Sequence, residues 1–120
     1  MRYFLNRLYH RIIWSSQGIL HAWREEHSFR SWVWANLVSA TLALALPLTA
    51  GERALILSLG VLVMAFELVN TAIEVVVDYI SQEQHPSAKA AKDCGSGAVF
   101  VSALAAGVAW VVILVRLATG

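Results

Sequence analysis

One stretch constrains this chain more than any other: the apolar run 54–80 carries Glu67, Asn70, Glu74 and Asp78 inside it. A run of that length and composition suits a helix crossing hydrocarbon. Spacings of three, four and four put the polar side chains in one stripe along one helix face. An intramembrane carboxylate costs roughly 2.5–3.5 kcal/mol on insertion scales, so such a stripe must face protein or water. A functional site is therefore the first reading of it.

Two more apolar stretches flank this one. Between 32 and 48 only Asn36, Ser39 and Thr41 interrupt the run, and 97–117 is apolar throughout most of its length. The expected architecture is an all-α membrane protein with spans at 31–49, 54–80 and 97–117. Composition agrees: 58% hydrophobic, 14% charged and a mean hydropathy of +0.62 leave too little charge to cover a soluble surface. At 120 residues the chain is read as one domain, 1–120. A net charge of +1 gives no electrostatic case for a nucleic-acid partner. Cys94 is the only cysteine, which excludes a disulfide or a cysteine-based zinc site within one chain. Residues 1–11 alternate basic and apolar side chains without the unbroken apolar core of a signal peptide, so 1–120 is read as the mature chain.

Residues 3–24 have two faces at helical spacing. Phe4, Leu8, Ile12 and Leu20 fall on one, and Asn6, Arg7, His10 and Gln17 on the other. That is the pattern of a helix lying in the membrane interface. Trp14 interrupts the polar face, either as an interfacial anchor or as an aromatic surface for a base or headgroup. A charged hinge, Arg24 to Arg30, leads into the first span. Pro47, Thr49, Gly51 and Glu52 mark a turn, and the polar stretch 81–93 with its Pro86 reads as a loop running into the last helix. Gly97 and Gly107 offer places where helices approach closely. Seven basic residues lie before the first span or between the second and third, against Arg53 and Arg116 on the other side. The N-terminus and the 81–93 segment are therefore expected in the cytoplasm.

Within the stripe, Asp78 and Glu74 lie near the cytoplasmic end and Glu67 is deeper by about 10 Å of helical rise. A deep carboxylate beside a lipid headgroup suits general-base work. A shallower one suits a hard cation such as magnesium, which Glu25 or Glu26 of the hinge could join. Lys92 is a candidate phosphate ligand beside such a cation. Neither a Walker sequence nor a kinase glycine-rich loop is present, so a phosphate site here must be built from side chains and metal. The residues alone leave a second reading open: a small proton or cation conduit. Against it, the polar residues stop at Glu67, and only Ser58 interrupts 54–66.

Three blocks carry a resemblance. Glu67-Leu-Val-Asn70-Thr71-Ala72-Ile73-Glu74-Val-Val-Val-Asp78 resembles the signature of the prokaryotic diacylglycerol kinases. Ala91-Lys92-Asp93-Cys94-Gly95-Ser96 resembles their second block, and Ala22 to Arg30 resembles their hinge. The order and separations match, and the similarity covers nearly the whole chain. It implies an ATP-dependent lipid kinase of the bacterial inner membrane, a homotrimer of three-span subunits whose neighbours share active sites. Glu67 would be the base on the lipid hydroxyl, and Glu26 and Glu74 would hold Mg2+ with the ATP phosphates. Asn70 would support them, Lys92 would meet phosphate, and Asp93, Glu83 and His85 would surround the nucleoside. Arg7 would reach nucleotide and lipid, Trp14 the nucleotide, and Arg30 and Ser96 the lipid. Trp14 stands where tyrosine is common in the Gram-negative enzymes, and Trp32 where some relatives are acidic. The run His85-Pro86-Ser87-Ala88-Lys89 looks like the Gram-positive branch, whose members phosphorylate undecaprenol, whereas Gly95-Ser96 looks like the Gram-negative one. Conversion of diacylglycerol to phosphatidic acid is the expected reaction, with undecaprenol as the alternative lipid.

Overall fold

A computed structural model describes all residues 1–120 as four helices and no strand: α1 Arg2–Glu25, α2 His27–Ala45, α3 Ala50–Ile80 and α4 Pro86–Thr119. The helical class expected from the sequence holds. The boundaries differ from the sequence reading in three places, each for a local reason.

The charged hinge shrinks to a single non-helical residue. Glu26, at φ −112° and ψ 108°, ends α1 and starts α2. The turn after α2 is 46–49. Leu46 is extended (φ −80°, ψ 155°), as the residue before a proline must be to clear the Pro47 ring. Gly51 and Glu52, read as turn, are instead the start of α3. Thr49 accepts from the Glu52 backbone N–H at 3.1 Å while the Glu52 carboxylate accepts from the Thr49 N–H at 2.8 Å. This reciprocal pair satisfies two otherwise orphaned donors and nucleates the helix there. Finally, 86–93 is helix, not loop. Pro86 sits at the first turn, where its missing N–H costs nothing, and His85 Nδ1 accepts from the Ser87 N–H at 3.0 Å.

Helix α3 is the hub and touches all three other helices. Ala43, Leu48, Ile56, Ala109 and Ile113 form a packed cluster at the α2–α3 turn. Polar fasteners secure the same end. Arg53 donates to the Ala43 and Leu46 carbonyls at 2.9 and 3.0 Å, closing the C-terminus of α2. Arg116 grips both oxygens of Glu52 at 2.6 Å and reaches the Pro47 carbonyl at 3.3 Å, tying α4 to the turn. Arg116 foremost, then the Thr49 backbone N–H, holds the Glu52 carboxyl down at about 2, from an ordinary 4.5. A carboxyl depressed on folding stabilises fully above its unfolded value and stops doing so as pH falls through its folded one. A Glu52→Gln variant is therefore expected to melt at lower temperature than the parent at pH 7. That gap should narrow as pH drops from 4.5 toward 2. Melting curves in detergent check it, and a gap independent of pH would contradict it.

Only 13 of 120 residues are buried, while Val61, Leu104, Val108 and Val111 stand open. So much exposed apolar surface needs lipid or further protein against it. By length and composition, α3 and α4 are each able to cross a membrane. Helix α2 is more polar, yet its polar side chains are satisfied locally: Asn36 Nδ2 donates to the Trp32 carbonyl at 3.0 Å and Thr41 to that of Leu37 at 2.7 Å. Ser39 accepts from the Trp110 indole at 2.9 Å, linking α2 to α4.

The close approaches fall on other glycines than expected. Open space surrounds Gly97 and Gly107. A Cβ at Gly60 would strike the Asn36 side chain, and one at Gly95 would strike Asn70 Oδ1.

Candidate functional site

The polar stripe of α3 lies at the end opposite the packed cluster. Glu67, Asn70 and Thr71 are buried, Glu67 to 2% exposure, although no apolar core surrounds that end. Thr71 donates to the Glu67 carbonyl at 3.0 Å, satisfying its own hydroxyl within the helix. The Glu67 carboxylate accepts no hydrogen bond from the chain. Asn70 Nδ2 donates weakly to Glu74 Oε1 at 3.4 Å, and Asn70 Oδ1 is the one buried side-chain polar atom without a partner. An orphaned buried acceptor is costly enough to suggest that something else normally satisfies it.

Other elements deliver charge to this stripe. Glu26, from the α1–α2 break, and Glu67 both act electrostatically on the half-buried Glu74, as does Lys92 from α4. Lys92 also pairs with Asp78 at 2.6 Å, locking the second turn of α4 to the last turn of α3. Helical phase explains the delivery: Lys92 and Gly95, three apart, share one face of α4, and that face lies on α3. Gly95 leaves the space that the Asn70 amide fills.

Beyond the Asp78–Lys92 pair opens a cleft of about 580 Å³ at the α3–α4 turn. Glu83 and His85 line it, together with Asp78, Lys89 and Lys92. Thus Glu26, Glu67, Asn70, Glu74 and Lys92 gather around one stripe, and Glu83 and His85 join Lys92 at the adjoining cleft. Asp93 pairs with Lys89, which lines the cleft, and its hydrogen bond and then its charge hold the lysine's pKa above the ordinary value.

The chain by itself leaves the remaining candidates apart. Arg7 donates to the Tyr3 hydroxyl at 3.2 Å and lies over that ring, while Trp14 stacks on His10. Both are on the exposed α1. Ser96 is exposed on α4. Arg30 turns its guanidinium onto the carbonyls of Trp23 and Arg24 at 2.6 and 3.1 Å. Two contributions escaped the sequence reading. Asp78 is legible in the stripe as a shallow carboxylate suited to a cation, but its pairing with Lys92 is not. Gly95 had no signal of its own, because its place opposite Asn70 depends on the register between α3 and α4.

No three His, Cys, Asp or Glu side chains cluster closely enough to cage a cation. Magnesium does not require that: it is commonly held by one or two carboxylates together with substrate phosphates. Glu26 and Glu74, which interact electrostatically, are a donor pair of that kind; the unpartnered Asn70 oxygen faces Gly95 of α4 instead.

Comparison with known proteins identifies the family. Residues 13–114 match the family model for prokaryotic diacylglycerol kinase. A protein named diacylglycerol kinase from Pseudomonas aeruginosa is 42% identical over 110 residues, covering 92% of this chain and 89% of the relative. The Escherichia coli protein of that name is 39% identical over 101 residues, covering 84% and 83%. One from Haemophilus influenzae is 37% identical over 106 residues, covering 88% and 90%. On a family match that includes Glu67, Asn70, Glu74 and Lys92, this chain belongs to the prokaryotic diacylglycerol kinase family.

Proposed function

We propose that this enzyme transfers the γ-phosphoryl group of ATP to the free hydroxyl of diacylglycerol, giving phosphatidic acid and ADP. The observation that carries the reading is Glu67: a buried carboxylate with no hydrogen-bond donor from its own chain, beside a second carboxylate that a lysine faces. A carboxylate without hydrogen-bond donors keeps its oxygens free to accept the proton of a bound hydroxyl.

Glu67 takes the hydroxyl proton as the lipid oxygen attacks the γ-phosphorus. The new O–P bond forms as the bond to the bridging oxygen of ADP breaks. Lys92 leaves Asp78 for the nucleotide's phosphates, an exchange that is cheap because an exposed ion pair is worth little. Glu83 and His85 border the cleft that takes the nucleoside. Glu26 and Glu74 would hold magnesium together with the nucleotide phosphates, and the ion would supply charge neutralisation at the transferring group. Asn70 keeps Glu74 oriented through its amide.

Helix α2 completes three membrane spans in this reading: at 19 residues it is about 28 Å long and its polar groups are bonded. Basic residues put the N-terminus and the cleft on the cytoplasmic side of the bacterial inner membrane. Association of three copies would cover the exposed helix faces and bring Arg7 and Trp14 of one subunit toward another's carboxylates. The similar proteins above are all named diacylglycerol kinase, which favours that lipid over undecaprenol. A conduit is disfavoured because the stripe ends at Glu67 and Val63 and Ile56 are packed beyond it.

Removing the metal tests the reading. Phosphatidic acid formation in mixed micelles should cease with excess EDTA and return when Mg2+ exceeds the chelator. Undiminished turnover in EDTA would contradict the assignment of Glu26 and Glu74.

A further inference from the structure

Arg30, expected near the lipid, bonds its guanidinium within its own chain. It stands on the first turn of α2, yet its guanidinium reaches back across the break to the Trp23 and Arg24 carbonyls at 2.6 and 3.1 Å. Those are among the last carbonyls of α1, which lack partners within the helix. Between the helices only Glu26 is non-helical, and its N–H is spent on the Ala22 carbonyl. Ala22 and Phe29, on either side of the break, are buried, so the joint is packed as well as bonded.

We infer that Arg30 is a positioning residue for magnesium: by clasping the end of α1 to the start of α2 it fixes where the Glu26 carboxylate points. This rests on the reading of Glu26 as a metal ligand given above. Few contacts other than this joint hold α1: Ser15, Gly18, Ile19 and His21 border a groove against α3, Ile13 is half-buried, and most of the helix is exposed. Loss of the clasp therefore loosens Glu26 relative to Glu74, which sits on another helix. Removing a group that orients a metal ligand typically weakens metal binding by 10–100-fold.

Binding of Mn2+ in the presence of a non-hydrolysable ATP analogue, read by electron paramagnetic resonance, measures this without turnover. Arg30→Met should weaken Mn2+ binding by about tenfold or more, and raise the Mg2+ needed for half-maximal activity in parallel. The KM for diacylglycerol should stay within about twofold. Arg30→Lys, able to reach one carbonyl, should fall between the two, and serves if the methionine variant does not fold. A raised lipid KM with unchanged Mn2+ binding would overturn the inference and make Arg30 a lipid contact. So would metal binding and lipid KM both unchanged. Glu26→Gln separates the two levels: if it leaves Mn2+ binding intact, the metal assignment of Glu26 fails. If it weakens binding and neither Arg30 variant does, only the inference about Arg30 fails.

Discussion

Glu67→Gln should reduce kcat by about a thousandfold or more, at the upper part of what general-base catalysis contributes, with KM for ATP little changed. A thousandfold corresponds to about 4 kcal/mol of lost transition-state stabilisation. The substitution keeps the side chain's volume and leaves the Thr71 hydrogen bond intact, because that bond goes to the Glu67 backbone carbonyl. What it removes is the ability to accept a proton. Stability should move the other way. An ionised side chain on a residue only 2% exposed costs more to place between helices than a neutral amide of the same shape. A variant that melts no lower than the parent, binds ATP and does not turn over would show chemistry and folding pulling in opposite directions at one residue. Normal turnover would remove Glu67 from the mechanism.

Gly95→Ala is expected to cut activity by about tenfold or more while changing stability by less than about 1–3 kcal/mol, the usual cost of overpacking. The added methyl would meet Asn70 Oδ1 head on, but the Asn70 Cγ and Ile73 Cδ1 only at 3.4 Å. The atom in the way is the end of a side chain, so the helices need not separate; the amide swings aside. In doing so it gives up its bond to Glu74, which loses the one side chain that orients it. Activity at several Mg2+ concentrations and a melting curve measure the two effects separately. A large loss of stability with proportionate loss of activity would mean that Gly95 serves packing alone. Gly60→Ala is a useful contrast, since the same kind of collision there involves Asn36, away from the stripe.

Much of this site was legible in the sequence because helices turn spacing into geometry. Carboxylates at 67, 74 and 78 must share a face with Asn70 if the segment is helical, and an apolar run of that length leaves little alternative. Helix boundaries were less accessible. A polar stretch after a proline looks like a loop, yet Pro86 at a first turn with His85 as its cap starts a helix about three turns ahead of its apolar part. Relations between helices were not accessible at all. The Lys92–Asp78 pair, the Gly95 cradle and the Arg30 clasp each depend on register or on a one-residue break, which composition does not encode. The same reason explains the glycines: Gly97 and Gly107 have the composition of contact points, and the facing helix decided for Gly60 and Gly95 instead.

This acidic, lysine-faced stripe is expected to move a phosphoryl group from ATP to diacylglycerol. The most direct measurement supplies purified protein with γ-labelled ATP, Mg2+ and equal mole fractions of diacylglycerol and undecaprenol in one mixed micelle. Label should enter phosphatidic acid, should exceed that in undecaprenyl phosphate, and should be absent with the Glu67→Gln protein. Label predominantly in undecaprenyl phosphate, or in neither lipid with folded, ATP-binding protein, would contradict it.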